Sequence, residues 1–210
     1  MDAATKGSNG LNDADGIVPP IPPNMPKVKP NCFTRWMGRT ALRLGGWRIV
    51  GPIPDLSKAV LIVAPHSSNW DGFWGMAVKI ALGLEVRVLG KTQLFWWPLG
   101  PLLRKLGAIP VDRSSPQGTI EQAIAIIRDF DRIWFTLTPE GTRKRVDKWK
   151  TGFWKIARNA NVPIVMGYFD YPSRIIGIDQ VFHTSDNQQQ DMVQIREFYR
   201  PWRGKNRGTV

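Results

Sequence analysis

The stretch Ala59–Ala64 (AVLIVA), followed directly by Pro65–Asp71 (PHSSNWD), decides the fold of this chain. A short, wholly apolar run of this kind is typical of a strand buried on both faces of a parallel sheet. The polar residues after it form a loop, and we interpret Asn69–Leu82 as a helix. A buried strand, a polar loop and a helix in succession indicate an α/β protein.

The alternation of strands and helices continues along the chain. Further strands are predicted at Glu85–Leu89, Ala108–Val111, Ile133–Thr138, Val162–Phe169 and Arg174–Ile178. Further helices are predicted from Ser115 (N-cap) and Pro116 (first turn) through Ile127, at Thr151–Ala160 and at Ser185–Tyr199. The sequence therefore predicts a single α/β domain over residues 32–210, with a mostly parallel sheet flanked by helices.

Charge and composition limit the possible partners. The 210 residues carry 29 Lys and Arg against 17 Asp and Glu, a formal net charge of +12, which favours an acidic partner. The 10 tryptophans favour an anionic membrane surface over nucleic acid, because indole is stable at a membrane–water boundary. No recognised nucleic-acid motif is present, so we expect no nucleic-acid partner. With Cys32 as the one cysteine and only two histidines, the sequence excludes an internal disulfide and makes a metal site implausible.

The N-terminal part of the sequence bears on membrane attachment. Residues 1–31 predict a disordered, proline-rich tail. We find no secretory signal and no run of roughly 18 apolar residues that could span a bilayer, and so expect a peripheral protein. Residues 33–48 predict an amphipathic helix with Arg35, Arg39 and Arg43 beside its apolar face. That face packs on the core, lies in the membrane interface, or does each through different residues.

Two other regions are compatible with contact to a lipid surface, but each also has an ordinary structural explanation. The aromatic and aliphatic stretch Lys91–Leu106 either packs in the core or forms an exposed patch that docks on a bilayer or lines an acyl channel. Basic side chains cluster in residues 143–158 and again at Arg200, Arg203, Lys205 and Arg207. These clusters are either solvated faces or contacts for anionic headgroups or an acidic acyl carrier protein.

Five positions in predicted loops could carry chemistry. His66 follows the buried strand and Asp71 lies five residues later, so the carboxylate could accept from Nδ1–H and leave Nε2 free to take a proton. The alternative is a loop histidine that caps the helix. Arg113 and Arg143 each follow a strand, where a guanidinium suits a phosphate, although either could form a surface salt bridge. Glu140 is a loop acid between Pro139 and Gly141.

Four motifs occur in order. They are His-x4-Asp at 66–71, Gly-x-Ile-x-x-x-Arg at 107–113, Pro-Glu-Gly-Thr-Arg at 139–143 and Val-Pro-Ile-Val at 162–165. With these motifs the chain resembles the glycerolipid acyltransferase family, and more narrowly the bacterial 1-acylglycerol-3-phosphate acyltransferases, which make phosphatidic acid. The resemblance implies a glycerol-3-phosphate acyltransferase-like fold. Many relatives begin with an apolar segment long enough to embed in the bilayer, whereas this chain offers only the basic amphipathic segment 33–48. We therefore expect a peripheral position on the cytoplasmic face of the inner membrane, and an acceptor that need not be the standard lysophosphatidate.

The resemblance also implies roles for individual residues. His66 would be the general base and Asp71 its orienting partner. Arg113, helped by Arg143, would bind the acceptor's phosphate, while Glu140, Gly141 and Thr142 would shape the acceptor pocket. The donor would be acyl-CoA or acyl-ACP, the acceptor a lysophospholipid, and no metal or other cofactor is expected.

Chemistry alone is compatible with this function. A thioester donor is already activated, so a base and correct positioning suffice. An acyl-serine route through Ser67 or Ser68 is disfavoured, because no Gly-x-Ser-x-Gly elbow is present. Two alternatives stay open. One is an acyltransferase for a different acceptor, such as a lyso-aminolipid, and the other is a non-catalytic module that binds lipid or an acyl carrier.

Overall fold

A computed structural model of the protein describes residues 16–29, 31–111 and 116–206. Within this part of the chain, strands form one seven-stranded sheet in the order β1-β7-β6-β2-β5-β3-β4. The strands are β1 Arg48–Val50, β2 Lys58–Ala64, β3 Val86–Lys91, β4 Ala108–Val111, β5 Ile133–Leu137, β6 Ile164–Asp170 and β7 Ile175–Phe182. The predicted α/β domain is thus confirmed.

The sheet is parallel except at one place. Neighbouring strands pair in parallel throughout, apart from β6 and β7, which are antiparallel. β7 therefore begins at the sheet edge where β6 ends and runs back to the opposite edge. The mostly parallel sheet that the apolar strand pattern predicted is confirmed, with β7 and its parallel partner β1 running against the other strands.

Helices cover both faces of the sheet. They are α1 Cys32–Gly45, α2 Asn69–Leu82, α3 Leu99–Lys105, α4 Pro116–Asp129, α5 Gly152–Ala160 and α6 Gln188–Tyr199. Val60 and Ile62 of β2 point into a core with residues of α4, α5 and α6. Ala59 and Leu61 point into a second core with residues of α1 and α2. β2 is buried on both faces, as its unbroken apolar run predicted.

The bounds predicted from the sequence agree best with the structure where a segment is long or has clear start and stop residues. Asn69–Leu82 and Ala108–Val111 form the predicted helix and strand without a shift in bounds. β1 was not predicted, because three residues are too few for a pattern and the strand depends on pairing with the distant β7. α3 was not predicted within its aromatic stretch. Ser115, the predicted N-cap, lies outside the described residues.

The prediction of a disordered tail differs from the structure over residues 16–29. Val18 and Met25 are buried in the core beneath α1 and α2. The backbone also bonds to the domain: the N–H of Val28 donates to the carbonyl of Gly83 at 3.0 Å, and that of Ile49 donates to Ile17 at 2.8 Å. Composition suggested disorder because apolar residues are sparse there. Each of the two buried side chains nevertheless fills a place in the core that other elements create.

Helix α1 turns one face to α2 and another to solvent. Gly38 and Leu42 are buried, whereas Phe33, Trp36, Met37 and Leu44 are exposed, Leu44 by 85%. We call these four exposed residues the outer face of α1. The core-packing interpretation is therefore wrong for this face, and the helix ends at Gly45 because Gly46 adopts a left-handed conformation with φ of 70°. Among the described residues, no helix is both long and apolar enough to cross a membrane.

Gly38 allows α1 to approach α2 closely. A Cβ atom at this position would lie 2.6 Å from the backbone nitrogen of Ala81. We expect Gly38→Ala to lower the free energy of unfolding by about 1–3 kcal/mol, because backbone atoms must move to admit the methyl group. Chemical denaturation measures this loss.

Gly72 provides the matched control, because it lies within α2 and its added Cβ would meet nothing within 4 Å. Gly72→Ala should raise the free energy of unfolding by about 0.5–1 kcal/mol through helix propensity. Equal effects of the two substitutions would contradict the close packing of α1 on α2.

Candidate active site

The candidate site lies where three neighbouring parallel strands end. β2 is the middle strand, with β6 on one side and β5 on the other. His66 follows β2, Glu140 follows β5 and Tyr171 follows β6. Because the carboxyl ends of parallel strands meet at one edge of the sheet, the three loops adjoin there.

His66 and Asp71 are in direct contact. The Nδ1 of His66 lies 3.1 Å from Oδ2 of Asp71, and the histidine side chain is 25% exposed while the carboxylate is 2% exposed. When Nδ1–H donates to the carboxylate, Nε2 is left as the unprotonated nitrogen. The sequence interpretation that Asp71 folds back onto His66 thus agrees with the geometry. Asp71 thus orients the imidazole of His66, which is partly exposed and can act as a base.

The loop and the first turn of α2 bring these two residues together. Ser68 is the N-cap of α2, and Asp71 completes a capping box with it. Oδ2 of Asp71 accepts from the backbone N–H groups of Ser67 at 2.8 Å and Ser68 at 2.9 Å. One carboxylate therefore ends the loop, caps the helix and contacts the histidine.

Tyr171 holds the second oxygen of Asp71. Its hydroxyl donates to Oδ1 at 2.5 Å, across 100 residues of sequence. Burial raises the pKa of Asp71, but hydrogen bonds from His66, Tyr171 and the two backbone N–H groups lower it by more, so the net shift is downward. Burial also raises the pKa of Tyr171, and its bond to Asp71 raises that pKa further. The carboxylate of Asp71 is therefore ionised, and the phenol of Tyr171 is protonated.

Glu140 supports the backbone of the histidine. Its side chain is buried, 1% exposed, and Oε2 accepts from the backbone N–H of His66 at 2.7 Å. Gly141 next to it has a φ of 65°, and a Cβ there would lie 2.8 Å from Cδ of Lys150. The hydroxyl of Thr142 accepts from the backbone N–H of Lys144 at 3.2 Å. The loop after β5 is thus a tight turn, and it holds the backbone of His66 through Glu140.

A cavity of about 380 Å³ adjoins the loop that carries His66. Its lining residues are polar or basic apart from one aromatic ring: Ser67, Ser68, Asn69, Trp70, Arg143, Lys205 and Asn206. Arg143 is thereby brought next to the His66 loop, as expected for a phosphate ligand. The cavity combines two cations with the polar start of α2, which suits an anion.

Arg113 and the fourth motif are the remaining predicted site features. Arg113 lies outside the described residues. The fourth motif, 162–165, contains the start of β6 and pairs with β2 inside the sheet. In the described ranges, no group of three or more His, Cys, Asp or Glu side chains could hold a metal ion.

Three residues at the site were missed by sequence reasoning. Tyr171 directly follows β6, while Lys205 and Asn206 lie beyond α6. They reach the His66 loop through contacts over 100 residues or more. The basic cluster around Lys205 was the one available signal. No local pattern marks Tyr171, since its partner is known only once β6 is placed beside β2.

Known proteins are similar to this chain in sequence and in fold. A family model described as Acyltransferase matches residues 48–168. The probable 1-acyl-sn-glycerol-3-phosphate acyltransferase of Mycoplasma pneumoniae is 31% identical over 145 residues, 60% of this chain and 53% of that protein, so the chain spans about half its length. The crystal structure of the 1-acyl-sn-glycerophosphate (LPA) acyltransferase PlsC from Thermotoga maritima is similar with a TM-score of 0.55. Its sequence identity is 16%, with 79% of this chain and 76% of that chain covered.

Tyr171→Phe tests the support of Asp71. We expect a loss of about 1.5–3 kcal/mol in the free energy of unfolding at pH 7, because a hydrogen bond to an ionised group is removed. The folded-state pKa of Asp71 lies below its ordinary value of 3.8. The stability from this carboxylate is therefore present above that value and lost as the pH falls through the lower one. The difference between Tyr171→Phe and the unsubstituted protein should shrink in the same range, as measured by denaturation from pH 7 to pH 2.

Tyr199→Phe is the matched control, since its buried hydroxyl donates to the uncharged carbonyl of Ile62 at 3.0 Å. Its cost should stay constant over the same pH range. A Tyr171→Phe cost that is equally constant would contradict the proposed charge dependence.

Proposed function

The chain belongs to the acyltransferase family, as its motifs predicted, and we propose that it transfers a fatty acyl group to the free hydroxyl of 1-acylglycerol-3-phosphate, giving phosphatidic acid. Acyl-CoA or acyl-ACP is the proposed donor. The observation that carries the proposal is the 3.1 Å contact between His66 Nδ1 and Asp71 Oδ2 beside a cationic cavity.

In the proposed reaction His66 acts as the general base. Its Nε2 takes the proton of the acceptor hydroxyl while the oxygen attacks the thioester carbonyl. The tetrahedral intermediate collapses, the C–S bond breaks, and the thiolate leaves with the proton that His66 returns. Asp71 holds the ring in one orientation and stabilises the imidazolium that forms between these steps. Because the thioester is already activated, the reaction requires no metal or redox cofactor.

The acceptor is proposed from charge and from the relatives. Arg143 lines the cavity next to the His66 loop, and a guanidinium forms two parallel hydrogen bonds with a phosphate. Arg113 is proposed as a second phosphate ligand. The two similar proteins are named for acylation of 1-acylglycerol-3-phosphate, which carries such a phosphate. Glu140 is proposed to position His66, and Gly141 and Thr142 to shape the turn beside the acceptor.

We propose that the protein acts on the cytoplasmic face of the inner membrane, as a peripheral protein docked by the outer face of α1. Trp36 is 60% exposed and Leu44 85% exposed. Exposed apolar side chains on a helix that also carries arginines suit the boundary between acyl chains and anionic headgroups. Trp70 and Phe73 on the adjoining α2 are also exposed, which extends the apolar surface towards the cavity.

His66→Ala tests the chemistry. With liposomes, labelled acyl thioester and a panel of lysolipids, we expect labelled phosphatidic acid from the unsubstituted protein. The variant should lose a factor of about 10²–10⁴ in rate, because the general base is absent. His183→Ala is the matched control, since His183 is the other histidine of the chain and is exposed. It should retain full activity.

Each other result has a defined meaning. Label in a different lipid, lost in His66→Ala, would keep the base and overturn the acceptor. Equal activity of His66→Ala and the unsubstituted protein would overturn the base. Binding to liposomes without transfer from any donor would overturn the enzymatic proposal in favour of a binding module.

A double substitution, Trp36→Gln with Leu44→Gln, tests the docking surface. We expect at least a tenfold loss of binding to phosphatidylglycerol vesicles in a sedimentation assay, because two large apolar groups no longer enter the bilayer. The folded structure should persist, since both side chains are exposed.

Val193→Gln is the control, because Val193 is 68% exposed on α6, which packs on the opposite face of the sheet. It should leave vesicle binding unchanged. An equal loss in both variants, or none in the double variant, would contradict docking through α1.

A further inference from the structure

We propose that Lys205 binds the phosphate monoester of the acceptor together with Arg143, so that residues beyond α6 form one wall of the acceptor site. This inference rests on the proposed function and extends it. We call the segment Trp202–Asn206 the α6 extension. It lies beyond residues 48–168, which the family model covers.

The α6 extension is fixed to the end of β6. The ring of Trp202 stacks on that of Tyr168 with centroids 3.8 Å apart and planes 6° from parallel. The backbone N–H of Tyr171 donates to the carbonyl of Arg203 at 2.9 Å, and the N–H of Arg203 donates to Oδ1 of Asp170 at 3.1 Å. These contacts hold the segment on the same edge of the sheet as the candidate site.

The same segment contacts the loop that carries the base. Nδ2 of Asn206 donates to the carbonyl of Ser67 at 3.0 Å. Gly204 is buried so close to the loop that an added Cβ would lie 2.4 Å from Oγ of Ser67. Lys205 lies between these two contacts. Its backbone is therefore held next to the residue that follows His66.

The side chain of Lys205 is directed into the cavity. Its Nζ lies 4.7 Å from the centroid of the Trp70 ring, a cation–π contact with another residue that lines the cavity. Arg143 lines the same cavity, and no Asp or Glu is among its described lining residues. Two cationic side chains thus line one cavity. A dianionic phosphate bound there is attracted by both charges and can accept hydrogen bonds from both side chains.

Substrate geometry favours the acceptor over the donor as the source of this phosphate. In 1-acylglycerol-3-phosphate, the reacting hydroxyl and the phosphate are on adjacent carbons, so a phosphate site must adjoin the base. The cavity does so through Ser67. The phosphates of an acyl-CoA or acyl-ACP lie at the far end of the pantetheine arm from the thioester. The half-exposed Trp70 ring also provides an apolar side for the acyl chain of the acceptor.

The test compares Lys205→Met with Lys205→Arg. In Lys205→Met we expect the KM for 1-acylglycerol-3-phosphate to rise about tenfold, with kcat and the KM for the acyl donor within twofold, since a charged contact to one substrate is lost. Lys205→Arg keeps the charge and should stay within about threefold of the unsubstituted protein. Lys58→Met removes the charge of a lysine at the start of β2, at the opposite end of that strand from the His66 loop, and should leave all three constants unchanged.

Two kinetic results would overturn the inference. A rise in the KM for the donor alone would assign the site to the donor's phosphates. A fall in kcat without a change in the acceptor KM would mean that Lys205 only positions the His66 loop.

A binding measurement separates this inference from the proposed function. Calorimetric titration of the His66→Ala protein with glycerol 3-phosphate needs no turnover. We expect binding that weakens about tenfold when Lys205→Met is added. If no lipid is acylated but this binding persists and depends on Lys205, the proposed function fails while the phosphate site stands. If glycerol 3-phosphate does not bind, or binds equally with and without Lys205, the phosphate site fails.

Discussion

The site depends on keeping one buried carboxylate ionised. Asp71 has almost no contact with water, and a bare carboxylate in such a place would take up a proton. Four donors prevent this: the ring of His66, the hydroxyl of Tyr171 and two backbone N–H groups of the loop. Three of these donors belong to the segment after β2, whereas Tyr171 reaches Asp71 only because β6 pairs with β2. The histidine gains a fixed orientation because the carboxylate itself cannot move.

The two faces of the sheet differ in what lies outside them. On one side, α4, α5 and α6 close a core of ordinary kind. On the other, α1 packs on α2 through the small surface at Gly38 and leaves an apolar face uncovered. An exposed patch of large apolar side chains is unfavourable in water and marks a binding surface, and the proposed binding partner is lipid. The helices α1 and α2 thus serve both the fold and the proposed membrane attachment, and Asp71 lies in the first turn of α2.

How far the sequence predicted this structure depends on the range of each interaction. The run Ala59–Ala64 and the helix after it were predictable because hydrophobic patterning and helix caps are local signals. The contact between His66 and Asp71 could be anticipated because only five residues and one turn connect them. Burial of Met25 was not predicted, since it belongs to a core formed with distant residues of α1 and α2, and the neighbouring prolines suggested disorder. Tyr171 was missed for the same reason: only the placement of β6 beside β2 brings it to Asp71. Amphipathicity located α1 but could not decide which of its faces meets α2.

The single reversal in the sheet has a consequence for how such a protein can diversify. Because β7 runs back from the site, the helix after it returns towards the site, and the segment beyond that helix arrives beside the His66 loop. A parallel strand at this position would have directed the same segment away. The proposed catalytic pair is thus built by the middle of the chain, while the proposed headgroup contact is supplied from its far part. Substitutions in that late segment could change which headgroup is preferred without disturbing the chemistry, so the two properties can evolve separately.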